Sequence, residues 1–188
     1  MDQRGALETR ICYELLTVYA VLTHSEEVRF EESMGGDGPR STPTVADSKV
    51  YSLGATGILT CLDARTGTLI WGKNVLEETN QSVPKWAKSC SPLVVDGMVI
   101  VTLGSKADKS LGAFSAASGE LMWRSGNYPS SYASPVVATL AGKRQIVAIQ
   151  QKALAGFEIE TGKELWAFPI GNPQSNCCLL YTSPSPRD

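Results

Sequence analysis

"STPTVADSKVYSLGATGILTCLDARTGTLIW", Ser41 to Trp71, decides the fold. The proline of Thr42-Pro43 biases the residue before it to extended backbone and away from helix. Short β-branched and alternating segments follow, Thr44-Val45 and then Val50 to Leu53, separated by Asp47-Ser48 in a turn position. A glycine-bearing turn leads to "ILTCLDA", and a third turn ends in Thr66-Gly67 before the segment closes on Trp71. Segments of this length and composition, with turn residues between them, predict four short antiparallel strands.

The same grammar returns twice. "CSPLVVDGMVIVTLGSKADKSLGAFSAASGELMW" runs from Cys90 to Trp123, and "ASPVVATLAGKRQIVAIQQKALAGFEIETGKELW" from Ala133 to Trp166. The Ser/Thr-Pro pairs fall at 42-43, 91-92 and 134-135, and the tryptophans are 52 and 43 residues apart. Asp96-Gly97 is the clearest hairpin turn, because glycine supplies the positive φ of a two-residue loop. An earlier stretch, "RICYELLTVYAVLTH" from Arg10 to His24, matches the second half of a unit, with Leu22 where tryptophan should stand. Four strands per unit at this period predict propeller blades, stacked face to face around an axis so that both faces of each sheet are buried. The chain is therefore expected to be all-β: a partial β-propeller of four-stranded antiparallel blades, with a remnant at 10–24 and blades at 41–71, 90–123 and 133–166. Each closing tryptophan, Trp71, Trp123 and Trp166, is expected to dock on the next blade against a small residue, with Ala64, Ala116 and Ala117 as candidates.

Composition narrows the function classes. Seventeen basic residues against nineteen acidic ones give a formal charge of -2 with no dense Lys/Arg run, which argues against a nucleic-acid surface. Apolar runs such as Met98 to Val101 are far too short to span a bilayer. The five cysteines show no C-x-x-C spacing and there is one histidine, His24, so a metal set is not expected; Cys12, Cys61 and Cys90 read as small apolar filling of strands, and His24 as a turn or surface residue. No signal peptide is visible in "MDQRGALETRICYELL". The glycine-rich "GGDGPR", Gly35 to Arg40, lacks the Lys-Ser or Lys-Thr of a P-loop and runs into a strand, so it serves neither as that phosphate cradle nor as a dinucleotide loop. It reads as a connection between blades.

At "CSPLVVDGMVIV", "GILTCLDARTGTLIW" and "LAGFEIETGKELW" the chain resembles the pyrroloquinoline-quinone-type (PQQ-like) β-propeller repeat family. The resemblance implies a ring of seven or eight blades, of which about three and a half are expected here, and tryptophans 71, 123 and 166 in the role of blade locks. It further implies a protein exported to the bacterial periplasm or cell surface. Three and a half blades do not close a ring, and the 10–24 remnant lacks its first two strands, so the chain is expected to be a fragment. Some members are quinoprotein dehydrogenases that oxidise alcohols or sugars with PQQ and calcium. Others resemble a lipoprotein scaffold of the outer-membrane β-barrel assembly machinery and bind no quinone. Residues 1–170 are expected to form the propeller and 171–188 an unstructured tail, of which "CLLYTSPSPRD" from Cys178 resembles a translated sequencing adapter. Cys177-Cys178 imitates the adjacent-cysteine disulfide of quinoprotein dehydrogenases but lies outside every repeat.

The residues expected to carry function lie in the linkers before the Ser/Thr-Pro strands, which gather on one face. They are Asp37 and Arg40, Lys85 and Trp86, and Tyr128 and Tyr132, as contacts for a protein or small-molecule partner, with packing over the blade rim as the alternative for Trp86 and the two tyrosines. Asp63 and Glu158 read as turn-capping carboxylates, and Glu31-Glu32 and Glu77-Glu78 as solvated loops. No catalytic residue, metal ligand or cofactor site is expected within this chain. The favoured function is a noncatalytic binding or assembly scaffold in the cell envelope, and the alternative a piece of a quinoprotein dehydrogenase.

Overall fold

The computed structural model describes residues 6–15, 18–27, 40–84, 87–103, 110–129 and 131–170. β1 (Ala6–Leu15) and β2 (Val18–Glu27) pair antiparallel, with Ile11 opposite Leu22. Three four-stranded antiparallel sheets follow: β3 (Thr44–Ala46), β4 (Lys49–Leu53), β5 (Ile58–Asp63) and β6 (Leu69–Asn74); β7 (Leu93–Val95), β8 (Met98–Thr102), β9 (Leu111–Ser115) and β10 (Leu121–Ser125); β11 (Val136–Leu140), β12 (Lys143–Ile149), β13 (Ala153–Phe157) and β14 (Glu164–Pro169). Within each sheet the strands lie in sequence order, the meander of a propeller blade. One four-residue helix, α1 (Val75–Glu78), is capped by Asn74 Oδ1 and places Glu77 and Glu78 in a helical turn rather than the expected loop. His24 lies within β2 opposite Thr9, not in a turn.

The sheets pack face to face. One core joins Tyr51, Leu53, Leu59, Cys61 and Trp71 of the first sheet to Val99, Val101 and Phe114 of the second. Another joins Ile100, Leu111 and Ala113 of the second sheet to Ile146, Ala155, Phe157 and Ile159 of the third. Alternate residues of β8 thus serve opposite cores, which is why Met98–Thr102 is a continuous apolar run ending in threonine and is buried throughout. The inner hairpins turn on pairs with positive φ: Asp47-Ser48, Asp96-Gly97 and Ala141-Gly142. That geometry matches the strand twist even where glycine is absent.

The Ser/Thr-Pro pairs link neighbouring sheets near their inner strands. Thr42 N–H donates to Ser91 Oγ (3.0 Å), and Ser91 N–H donates in turn to Ser134 Oγ (2.8 Å). Thr44 Oγ1 adds a bond to Pro92 O at 2.5 Å. The proline lacks an N–H, so the residue before it provides the donor of this step and its hydroxyl the acceptor of the previous one.

The outer strands do not end on tryptophan; each continues beyond it. In every sheet the register shifts one residue before the ring. Trp71 faces Cys61 while Leu69 faces Leu62, Trp123 faces Ala113 while Leu121 faces Phe114, and Trp166 faces Gly156 while Glu164 faces Phe157. Ile70, Met122 and Leu165 are therefore the extra residues of recurrent β-bulges, which break alternation. This explains two large exposed aliphatic residues: Ile70 is 45% and Met122 56% accessible.

Candidate functional site

The antiparallel meander sends turns to alternate ends of each sheet, so two faces with different content result. One face carries the turns that receive tryptophan. Trp71 Nε1 donates to Ala116 O of the second sheet (3.2 Å), and Trp123 Nε1 to Ile159 O of the third (3.1 Å). Tyr51 Oη donates to the same Ala116 carbonyl at 3.1 Å, its ring tilted at 49° to that of Trp71. The small residue beneath each ring is a turn glycine, Gly119 under Trp71 and Gly162 under Trp123, not the expected alanines. Ala116 contributes its carbonyl, and Ala117 is exposed. An alanine Cβ at 119 would stand 2.7 Å from Trp71 Cε3. Trp166 differs: its indole N–H goes to Gln145 Oε1 of its own sheet (2.6 Å), because no further sheet follows among the described residues.

These turns are held by one recurrent capping position. Asp63 Oδ1 accepts from Arg65 N, Thr66 N and Thr66 Oγ1; Ser115 Oγ accepts from Ala117 N and Ser118 N; Glu158 Oε2 accepts from Thr161 Oγ1. The Thr66 amide and hydroxyl hold the Asp63 carboxyl below its ordinary range, and Thr161 with Lys143 does the same for Glu158. Arg144 Nη1 also bridges the second and third sheets, bonding both carboxylate oxygens of Asp96 at 2.9 and 2.7 Å.

The opposite face collects the linkers. Val75 N–H donates to Gly57 O (2.9 Å) and Lys88 N–H to Ala55 O (2.8 Å), tying the first linker to the β4–β5 turn. Gln151 N–H donates to Pro129 O at 3.0 Å, and Ser89 Oγ joins successive linkers through Tyr132 O (3.2 Å). Of the residues expected to make contacts here, Arg40, Tyr128 and Tyr132 are half-buried. Asp37, Lys85 and Trp86 lie outside the described residues, as do Glu31-Glu32 and Cys177-Cys178. The bond between Ser89 and Tyr132 brings the 87–92 and 131–135 segments together. The described part of the site is thus a wall of two linkers with tyrosines on one of them.

Two polar groups of this face escaped sequence reading. Gln150 Nε2 donates to Ser110 Oγ at 2.5 Å beneath Gly126, whose φ of 97° and contact with Ser110 leave no room for a side chain. Lys88, 2% accessible, donates from Nζ to Thr102 Oγ1 (2.8 Å) and Leu103 O (2.6 Å), and Thr102 Oγ1 donates on to Cys90 Sγ (2.9 Å). Burial pushes the Lys88 amine down from its ordinary range, against a smaller upward pull from Cys90. A lysine in a polar loop gives no sign in the sequence that its amine is buried against the second sheet while its backbone is held by the first. Cys61 and Cys90 are both buried free thiols; Cys61 lies in β5, whereas Cys90 precedes β7. Among the described residues no three His, Cys, Asp or Glu side chains converge as a metal set, and no helix is long and apolar enough to cross a membrane.

Comparison with known proteins fits this architecture. Ninety-one residues are 36% identical to outer membrane protein assembly factor BamB of Xanthomonas campestris pv. campestris, covering 48% of this chain and 22% of that protein. The fold superposes on BamB from Moraxella catarrhalis with a TM-score of 0.52 and 20% identity, over 70% of this chain and 37% of that one. It also superposes on the quinohemoprotein alcohol dehydrogenase of Comamonas testosteroni, with a TM-score of 0.51 and 21% identity, over 70% of this chain and 21% of that one. The chain thus matches well under half the length of each. The two structural likenesses establish a shared fold and do not separate a scaffold from a dehydrogenase. The family model for outer membrane protein assembly factor BamB, however, matches residues 17–179, across all three four-stranded sheets. The repeated sheets and that match together make this chain a member of the PQQ-like repeat family described as outer membrane protein assembly factor BamB.

Proposed function

We propose that this chain acts as a noncatalytic scaffold in outer-membrane protein assembly on the periplasmic side of the bacterial envelope, binding a protein partner through its linker face. The family match over residues 17–179 carries this proposal. The architecture supports it: the face with the turn caps and tryptophan contacts is occupied by holding sheets together, which leaves the linkers for recognition. Arg40 with Asp37 before the first sheet, Lys85 and Trp86 between the first and second, and Tyr128 and Tyr132 between the second and third are the contact residues. Tyrosine suits such a surface because it offers a large apolar ring and a polar tip with little side-chain entropy to lose.

A graft tests the proposal. Residues 41–170 replace the homologous blades of the Xanthomonas assembly factor in a strain lacking its own copy, and the abundance of outer-membrane β-barrel proteins is measured. The expected result is restored abundance, lost again in a Tyr128→Ala/Tyr132→Ala graft that keeps its β-sheet circular dichroism. A graft that folds and reaches the periplasm without restoring abundance overturns the proposal. So does quinone-dependent alcohol oxidation after loading with PQQ and calcium.

A further inference from the structure

Among the described residues Lys88 carries the one buried amine, and neither the turn caps nor the tryptophan contacts use it. Its backbone N–H is fixed on Ala55 of the first sheet and its Nζ on Thr102 and Leu103 of the second, so it straddles their junction. A charged ammonium has three N–H donors and a neutral amine has two. Two acceptors face this amine, and no salt bridge reaches it among the described residues. The Thr102 hydroxyl proton is directed to Cys90, which leaves its oxygen as an acceptor. Cys90 is the ionisable group that acts on Lys88; β8 and the Gly54–Gly57 turn carry none, and Tyr51 and Cys61, in the same core, act on each other. The third sheet fills the matching place with Ser131, whose Oγ donates to Ile149 O at 2.5 Å, so a neutral donor satisfies this position.

We infer that Lys88 is held in the fold as a neutral amine, so that the junction of the first and second sheets loosens when acidification places a proton on it. Protonation creates a third donor and a buried charge that find no acceptor and no counter-charge among the described residues, both costly. The unfolded chain keeps its lysine protonated up to about pH 10.4, whereas the folded chain gives up that proton at lower pH. Between those two values the unfolded state binds more protons, so stability rises with pH and falls on acidification.

The test compares urea unfolding of the wild-type chain, Lys88→Met, Lys88→Arg and Cys90→Ala from about pH 5 to 9, below the range where tyrosine and free lysine titrate. The wild-type unfolding constant should fall with rising pH by up to about tenfold per unit more than that of Lys88→Met, where Lys88 titrates. Lys88→Arg, which cannot shed its charge, should unfold more readily than Lys88→Met. Parallel profiles for wild type and Lys88→Met overturn the inference. A slope that vanishes in Cys90→Ala overturns it as well, since that result means an ammonium–thiolate pair. A titration of the wild-type chain with 13Cε-labelled lysine needs no variant to fold. One lysine methylene should titrate below all others, and uniform titration near the ordinary lysine value overturns the assignment.

Discussion

Gly119→Ala measures what the tryptophan contact contributes to the junction of the first two sheets. Two costs arise. Gly119 has a φ of 72°, where an L-residue is strained by about 1–2 kcal/mol. The new Cβ would also stand 2.7 Å from Trp71 Cε3 and 2.9 Å from Cδ2, closer than such atoms approach. The ring is mostly buried and bonded to Ala116, so it must move or the turn must open. Overpacking of this kind costs about 1–3 kcal/mol, and losing the indole hydrogen bond adds about 1 kcal/mol. The total is about 3–6 kcal/mol, on the order of deleting a buried tryptophan side chain. Gly97 is the internal control: its φ is 74°, and nothing lies within 4 Å of its added Cβ. Gly97→Ala should therefore cost about 1–2 kcal/mol, the backbone contribution alone. Urea unfolding followed by far-ultraviolet circular dichroism gives both values, and in a Trp71→Ala background the Gly119→Ala cost should fall to that of Gly97→Ala. Costs for Gly119→Ala and Gly97→Ala that agree within about 0.5 kcal/mol in the wild-type background would refute the reasoning.

Other perturbations reach the remaining features. Ser134→Ala removes the acceptor for Ser91 N–H and should cost about 1 kcal/mol in urea unfolding; Ser91→Ala should cost less, because the Thr42 N–H it leaves is exposed to water. Burial and the neighbouring Cys61 push the Tyr51 hydroxyl up to about 12, above its unfolded value of about 10, so its contribution is intact below pH 10 and lost as pH rises through the folded value. Tyr51→Phe should accordingly flatten the alkaline limb of a stability profile. Asp63 titrates below its unfolded value, so its contribution is present above about pH 4 and lost as pH falls through the folded value. The acid limb of an Asp63→Asn chain, read by the same unfolding assay, should be shallower than that of the wild type.

Repeat period, strand number and order were legible in the chain because each depends on local signals that recur: the Ser/Thr-Pro pair, the Asp96-Gly97 turn, the Thr-Gly or Ser-Gly turn and the closing tryptophan. Propensity and turn chemistry act within a few residues, so three copies of one pattern identify the blade by consistency. What the local signals could not carry was phase and partner. Ile70, Met122 and Leu165 stand directly before the tryptophans as ordinary apolar strand residues, yet each is the extra residue of a bulge, which at Trp71 and Trp123 accompanies a ring turned to the next sheet. Alanine and glycine are both small, and the choice of Gly119 and Gly162 beneath the rings follows from a close approach and a positive φ that exist only once two sheets pack. The candidate site divides in the same way: its location on the linkers follows from meander topology, which the repeat dictates. Lys88 reads as an ordinary loop lysine by sequence. Only the folded structure removes its amine from water and sets it on two acceptors of the second sheet while its backbone N–H is held by the first, because burial belongs to the assembled sheets and not to any segment of the chain.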